Sequence, residues 1–340
     1  MPLAMHMANE LLSVPVAAGT LAVAAAAVAA AAWRARKAMT AERMPLMGVL
    51  GAFVFAGQMI NFTLPGMGGV SGHLGGGVLL AIVLGPAASV LVMTAILIVQ
   101  CLLFQDGGLL ALGCNIINMG VVPSLLGWGL YRLTLGAAAA ARPWRQYLAA
   151  WAACVAAVTA GAALVPIEAA VSGVLKISFV HFLATIVGVH VVIGLGEGLI
   201  TFVVVAYLRR VRPAAVGLAA SDRPGGLRRG AVVASLLGTA VLLAGVVSLF
   251  ASAHPDGLEW SLEGESLAPP APAVAAVDDW QGRVAAMPDY TRRDAAAGPV
   301  GGWTSVAGIA GTAVTLAVLY LLARLLKRRA GTQAHPPAAN

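Results

Sequence analysis

Charge is what this 340-residue chain has least of: 10% of its residues are Asp, Glu, Lys or Arg, against 60% hydrophobic. Soluble domains carry about a quarter charged residues, so the shortage excludes a polar surface over most of the molecule and points to an integral membrane protein. Cysteine is scarce as well. Cys101, Cys114 and Cys154 are odd in number, lie in or beside apolar runs and lack CxxC spacing, which argues against disulfides or a zinc site. Lysine occurs only as Lys37, Lys176 and Lys327, never after a glycine, so no phosphate-cradling GxxxxGK[ST] loop exists. Energy from ATP must therefore come from another chain. HExxH and GxSxG are also absent. Residues 1–10 hold no Lys or Arg, so the first apolar run does not read as a cleaved signal peptide, and the N-terminus is expected outside.

The basic residues that are present sit at the ends of apolar runs. They form clusters at Arg34, Arg36 and Lys37, at Arg132, Arg142 and Arg145, at Arg209, Arg210 and Arg212, and at Arg324, Lys327, Arg328 and Arg329. This is the pattern of a cytoplasmic membrane face and not of a nucleic-acid surface, despite a pI near 9.8. Helices are expected at about 11–32, 46–63, 109–133, 147–166, 178–208, 230–251 and 303–326. The apolar run 74–104 would be roughly 46 Å long as one helix, and Gly85-Pro86 favours a break, giving about 74–84 and 87–104. Two crossings there also keep every basic cluster on one side. The expectation is an all-α, polytopic bundle of nine helices in the cell membrane, N-terminus outside and C-terminus cytoplasmic. A seven-helix core over 1–212 is followed by a linker at 213–229, an appendage helix pair within 230–330 and a tail at 331–340. The pair encloses an outside loop, 252–302, of unread role, containing Pro255-Asp256-Gly257-Leu258-Glu259-Trp260.

Two histidines stand out against this hydrocarbon. A His in second position chelates metal strongly, because the free amine, the deprotonated His amide and Nδ1 close fused five- and six-membered rings. A further imidazole would complete a nitrogen plane that suits Ni(II) or Cu(II). His6 takes second position if the chain begins at Met5. His73 lies in the glycine-rich Ser71-Gly72-His73-Leu74-Gly75-Gly76, expected on the same outer face, where it is either a ligand at a substrate mouth or a solvated interfacial His. His190 and Glu197, seven apart, share a helix face and form either a network around the site or a structural hydrogen bond. Asn115 and Asn118, three apart, line a cavity or tie helices together. Asp106 reads as part of a solvated outer turn, His181 as interfacial, and Met7, Met59 and Met67 as filler.

These stretches together resemble the CbiM/NikM family, the substrate-binding membrane subunits of energy-coupling-factor transporters for cobalt and nickel. The resemblance rests on Met5-His6-Met7 with Leu11-Leu12-Ser13, the His73 loop, Leu84-Gly85-Pro86, Phe104-Gln105-Asp106-Gly107-Gly108, Asn115 to Gly120 and Gly194 to Thr201. The part from 230 onward resembles the NikN-like or PDGLE-type partner of these systems. The resemblance implies a metal held by the Met5 amine, the amide and imidazole of His6, and His73. It further implies a transmembrane coupling subunit and ATPase subunits as partners, and Ni²⁺ or Co²⁺ as substrate with no cofactor; the NikN-like part favours nickel. Residues Met1 to Ala4 depart from the family, since they would block the amine. Two other readings stay open: a proton-coupled secondary metal transporter using His190 and Glu197, and a non-transporting membrane scaffold or sensor.

Overall fold

Alanine surrenders no side-chain entropy in a helix, and the alanine-rich stretch after Ser13 forms a long one, α1 (Val14–Ala38). In the computed structural model the described residues are 6–38, 43–67, 69–136, 142–211, 229–252, 254–262, 267, 269–292 and 302–331. After α1 come α2 (Arg43–Gln58) and a two-residue antiparallel pair, β1 (Phe62–Thr63) and β2 (Ser71–Gly72), with Phe62 opposite Gly72. The chain then enters α3 (Gly77–Leu84), turns at Gly85 and continues as α4 (Pro86–Phe104). Gly85 has φ +88, a conformation glycine accepts freely, and Pro86 occupies the first turn of α4, where its missing N–H costs nothing.

α5 (Leu112–Asn115) runs through two π-helical stretches, Ile116–Val121 and Pro123–Gly127, into α6 (Trp128–Leu135). Two long helices follow, α7 (Pro143–Ser172), with Pro166 inside it, and α8 (Phe179–Val211). They pack against each other along much of their length. The appendage contributes α9 (Arg229–Gly245) and α12 (Gly302–Gly331). Between them lie α10 (Gly257–Leu262), α11 (Pro272–Val284) and a 3-10 turn at Pro288–Tyr290.

All nine expected helices are present, and the fold is an all-α membrane bundle apart from the β1–β2 pair. Among the described residues, six helices are long and apolar enough to cross a membrane: α1, α4, α7, α8, α9 (apolar through Phe250) and α12. α2 is a shorter apolar helix. α3 is shorter than expected: eight residues rise about 12 Å, less than half of a bilayer's hydrocarbon thickness.

The appendage is not a loose attachment. α9 and α12 pack on α2, and one continuous buried cluster joins Leu50 and Phe55 of α2, Leu79 of α3 and Val92 of α4 to Leu236 of α9 and Leu319 of α12. A second cluster gathers Met7, Leu11 and Leu12 with Cys114, Ala162, Phe182 and Ile186. This cluster buries the N-terminal segment between α5, α7 and α8.

Candidate metal centre

The N-terminal segment is fixed by its backbone. Met7 N–H donates to Asn115 Oδ1 at 3.1 Å, and Asn115 Nδ2 returns a bond of 3.1 Å to the Met7 carbonyl. Gly108 N–H donates to the same carbonyl at 3.0 Å, and Leu110 N–H donates to Asn9 Oδ1 at 2.8 Å. This close approach needs glycine: a Cβ on Gly107 (φ +86) would lie 2.9 Å from His6 Cβ, and one on Gly108 would lie 2.4 Å from the Asn9 nitrogen. His6 is thereby buried, 2% exposed. Its Nδ1 donates to Asp106 Oδ1 at 2.7 Å, and its Nε2 has no hydrogen-bond partner among the described residues.

His73 approaches from the other side. Glu197 Oε2 accepts from Gly75 N–H at 2.8 Å, Glu197 Oε1 accepts from Gly76 N–H at 3.1 Å, and Gln58 Nε2 donates to the Gly75 carbonyl at 2.8 Å. The loop so held presents a half-buried His73 whose ring centroid lies 5.6 Å from that of His6. His73 Nδ1 donates to the Leu74 carbonyl at 3.2 Å, which makes Nε2 the acceptor nitrogen.

Both rings line one cavity of about 90 Å³, together with Asn115, Asn118, His190 and the apolar side chains Met119, Val165, Ile186 and Ile193. Asp256, Gly257 and Leu258 of the appendage close its remaining wall. They are anchored to the glycine loop: Ser71 N–H donates to the Pro255 carbonyl at 2.8 Å, and Ser71 Oγ to the His254 carbonyl at 2.8 Å. Asp256 Oδ1 caps α10 by accepting from Leu258 and Glu259 N–H.

The structure thus brings His6, His73, Asn115, Asn118 and His190 to one cavity and puts Glu197 beneath it. His190 and Glu197 act separately: His190 Nδ1 donates to the Ile186 carbonyl of its own helix at 2.8 Å, while Glu197 holds the His73 loop. Asn115 clamps the Met7 backbone, and Asn118 Nδ2 donates to Glu168 at 2.8 Å. Met5 lies outside the described residues. Among the described residues no three His, Cys, Asp or Glu side chains converge as a metal-binding group.

Asp106 overturns its expectation. It is 3% exposed and not solvated; beyond His6, its Oδ2 accepts from the Tyr290 hydroxyl at 2.5 Å. Burial pushes its carboxyl up, but the His6 imidazole and the two hydrogen bonds outweigh that and hold it below the usual carboxylate range. The six-membered chelate through His6 Nδ1 is likewise not pre-formed, because Nδ1 is given to Asp106. Residues beyond sequence reasoning were Asn9, Gln58, Gln100, Asp256, Gln281 and Tyr290, all buried. The signals available were the motif Pro255-Asp256-Gly257-Leu258-Glu259-Trp260 for Asp256 and, for Asp106, a carboxylate in a glycine turn, Gln105-Asp106-Gly107-Gly108, in a chain with few charges.

Such a fold and cavity define a multi-pass helical membrane protein in which His6 and His73 approach each other at one cavity. The chain belongs to the family described as the cobalt uptake substrate-specific transmembrane region, whose model matches residues 6–215, and residues 229–328 match the PDGLE domain. A protein of Archaeoglobus fulgidus with the provisional name fused nickel transport protein NikMN is 34% identical over 82% of this chain and 85% of its own length. The cobalt transport protein CbiM of Geobacter sulfurreducens is 32% identical over 56% of this chain and 55% of its own. A crystal structure of a transition metal transporter superposes with a TM-score of 0.53 at 30% identity, over 61% of this chain and 93% of that one. The chain is accordingly a membrane component of metal transport.

Proposed function

We propose that the chain binds Ni²⁺, in preference to Co²⁺, as the substrate-capturing subunit of an energy-coupling-factor importer. A transmembrane coupling subunit and ATPase subunits supply the energy. The observation that carries the reading is the approach of His6 and His73, ring centroids 5.6 Å apart, in one cavity otherwise lined largely by apolar side chains. Two imidazoles leave coordination positions for nitrogens at the N-terminus, and a chain starting at Met5 offers its amine and the His6 amide there. Four nitrogens in a plane suit Ni(II). For that chelate His6 turns so that Nδ1 faces the ion and Nε2–H takes over the bond to Asp106. The ion is substrate, and no resident cofactor is required.

The orientation proposed is N-terminus outside and C-terminus cytoplasmic; the helix break at Gly85-Pro86 supports it, because a chain that doubles back there would have its basic helix ends on one side. The proposed division is a core over 1–212, a linker at 213–229, the appendage within 230–330 and a tail at 331–340. The proton-driven alternative loses support because His190 and Glu197 are each committed to separate backbone partners.

The test is bound nickel in detergent for two forms, one starting at Met5 and one with a blocked Met1 start, each also as His73→Ala. One tight nickel in the Met5 form, lost on blocking and on His73→Ala, is expected. Binding should weaken as pH falls, since protons compete for nitrogen ligands. Equal binding by the blocked form would remove the amine and amide from the site and leave His6 Nε2 facing His73. Unchanged binding in His73→Ala would overturn the site itself.

A further inference from the structure

Tyr290 belongs to the appendage, yet its hydroxyl ends inside the core on the carboxylate that holds His6. We infer that Tyr290 is a positioning residue for the metal: acting through Asp106, it sets the direction of the His6 imidazole. This inference rests on the reading of His6 as a metal ligand.

A ligating imidazole works best when its other N–H is donated to a carboxylate, which fixes the tautomer and the ring plane. Asp106 can do this only if its own rotation is stopped, and Tyr290 stops it from the far oxygen. The phenol is itself immobilised: its ring stacks on Phe104 with centroids 4.6 Å apart and planes 15° apart, and Met287 N–H donates to the Leu103 carbonyl at 3.0 Å. Asp289 and Tyr290 have φ +50 and +56, an uncommon left-handed backbone for non-glycine residues that persists only where surrounding contacts dictate it.

The relay also reaches the second histidine. Asp106 N–H donates to the Gln100 carbonyl at 3.1 Å, Gln100 Nε2 donates to Gln58 Oε1 at 3.0 Å, and Gln58 donates to the Gly75 carbonyl of the His73 loop. His6, Asp106, Gln100, Gln58 and Gly75 therefore form one polar chain between the two imidazole-bearing segments, which Tyr290 joins at Asp106.

The experiment uses the full chain in detergent, in the start form that binds nickel, comparing wild type with Tyr290→Phe, Asp106→Asn and the double variant. Nickel affinity and release rate are read by competition with a chromogenic chelator, the ligand field by the visible Ni(II) absorption, and folding by the metal-free melting temperature. Tyr290→Phe removes one oxygen and is expected to weaken nickel about 10- to 100-fold, the cost typical of losing such an outer partner. It should also shift the Ni(II) band, and add nothing further in the Asp106→Asn background. Wild-type affinity, release rate and band in Tyr290→Phe would overturn the inference, as would full additivity with Asp106→Asn. A lowered melting temperature with an unshifted band would make Tyr290 merely structural and overturn it too. If His73→Ala abolishes binding while Tyr290→Phe leaves it intact, only this inference fails. Nickel-free wild type, or His73→Ala behaving as wild type, removes the ligand reading and this inference together.

Discussion

Glu197 shows how a single side chain in this protein can matter without touching the ion. Its two oxygens accept the backbone N–H groups of Gly75 and Gly76, so its loss leaves two donors without an acceptor behind the His73 loop. Each buried unsatisfied donor costs about 1–3 kcal/mol. Glu197→Ala should therefore lower the melting temperature and the nickel affinity together, and Glu197→Gln, which keeps one acceptor, should fall between it and wild type. Equal melting temperatures for all three would show that the loop holds itself. Residues such as His6 and His73 were legible in the sequence because an imidazole amid hydrocarbon is conspicuous. Asp106 was not, because its fate depends on Tyr290, 184 positions away, and a carboxylate beside two glycines reads as a solvated turn until that partner is known.

Secondary-structure elements were legible where length and hydropathy decide, as for α1, α4, α7 and α8, since a bilayer sets the length of what crosses it. Less legible were the π-helical stretches between α5 and α6, which no composition rule marks, and α10 and α11, which expectation left as an unread outside loop. α10 carries its own testable consequence. Burial, and secondly the charge of Asp256, push the half-buried Glu259 up to about 7 from the ordinary 4.5. The folded α10 thus holds this proton more tightly than an opened one, so its stabilising effect is full below about 4.5 and is lost as pH rises to about 7. Asp106 acts in the opposite sense: its contribution is present above its ordinary value and lost only as pH falls below it. Between these limits acidification should tighten α10. Backbone hydrogen exchange across residues 257–262, corrected for intrinsic rates, should be slower at pH 5.5 than at pH 8, and Glu259→Gln should abolish the difference. Faster corrected exchange at pH 5.5 would contradict the assignment.

At the scale of the whole molecule, the division between core and appendage that the sequence suggests runs through a single packed unit. Gln281 of α11 accepts from Asn9 and Leu109 N–H and donates to the carbonyls of Cys101 and Gly107. Ser252 N–H donates to the Asn61 carbonyl, the Pro255 carbonyl accepts from Ser71, and Tyr290 reaches Asp106. The segments that carry His6, His73 and Asp106 are therefore each tied to the appendage by contacts more than 170 positions apart in sequence, a separation at which hydropathy and motif spacing carry no information. Ending the chain after residue 212 should still leave a membrane-embedded core, since the face of α2 that α9 and α12 cover is apolar and lipid can replace them. What is lost is the polar clasp, so nickel release should quicken by about tenfold or more, the scale of losing an outer-sphere partner. None of these contacts runs through 213–228, so supplying residues 213–340 as a separate chain in the same membrane should restore slow release. A core that releases nickel at the full-length rate would show that the clasp does not control the ion. A core restored only by covalent fusion would show that the linker, and not the clasp, brings the two parts together.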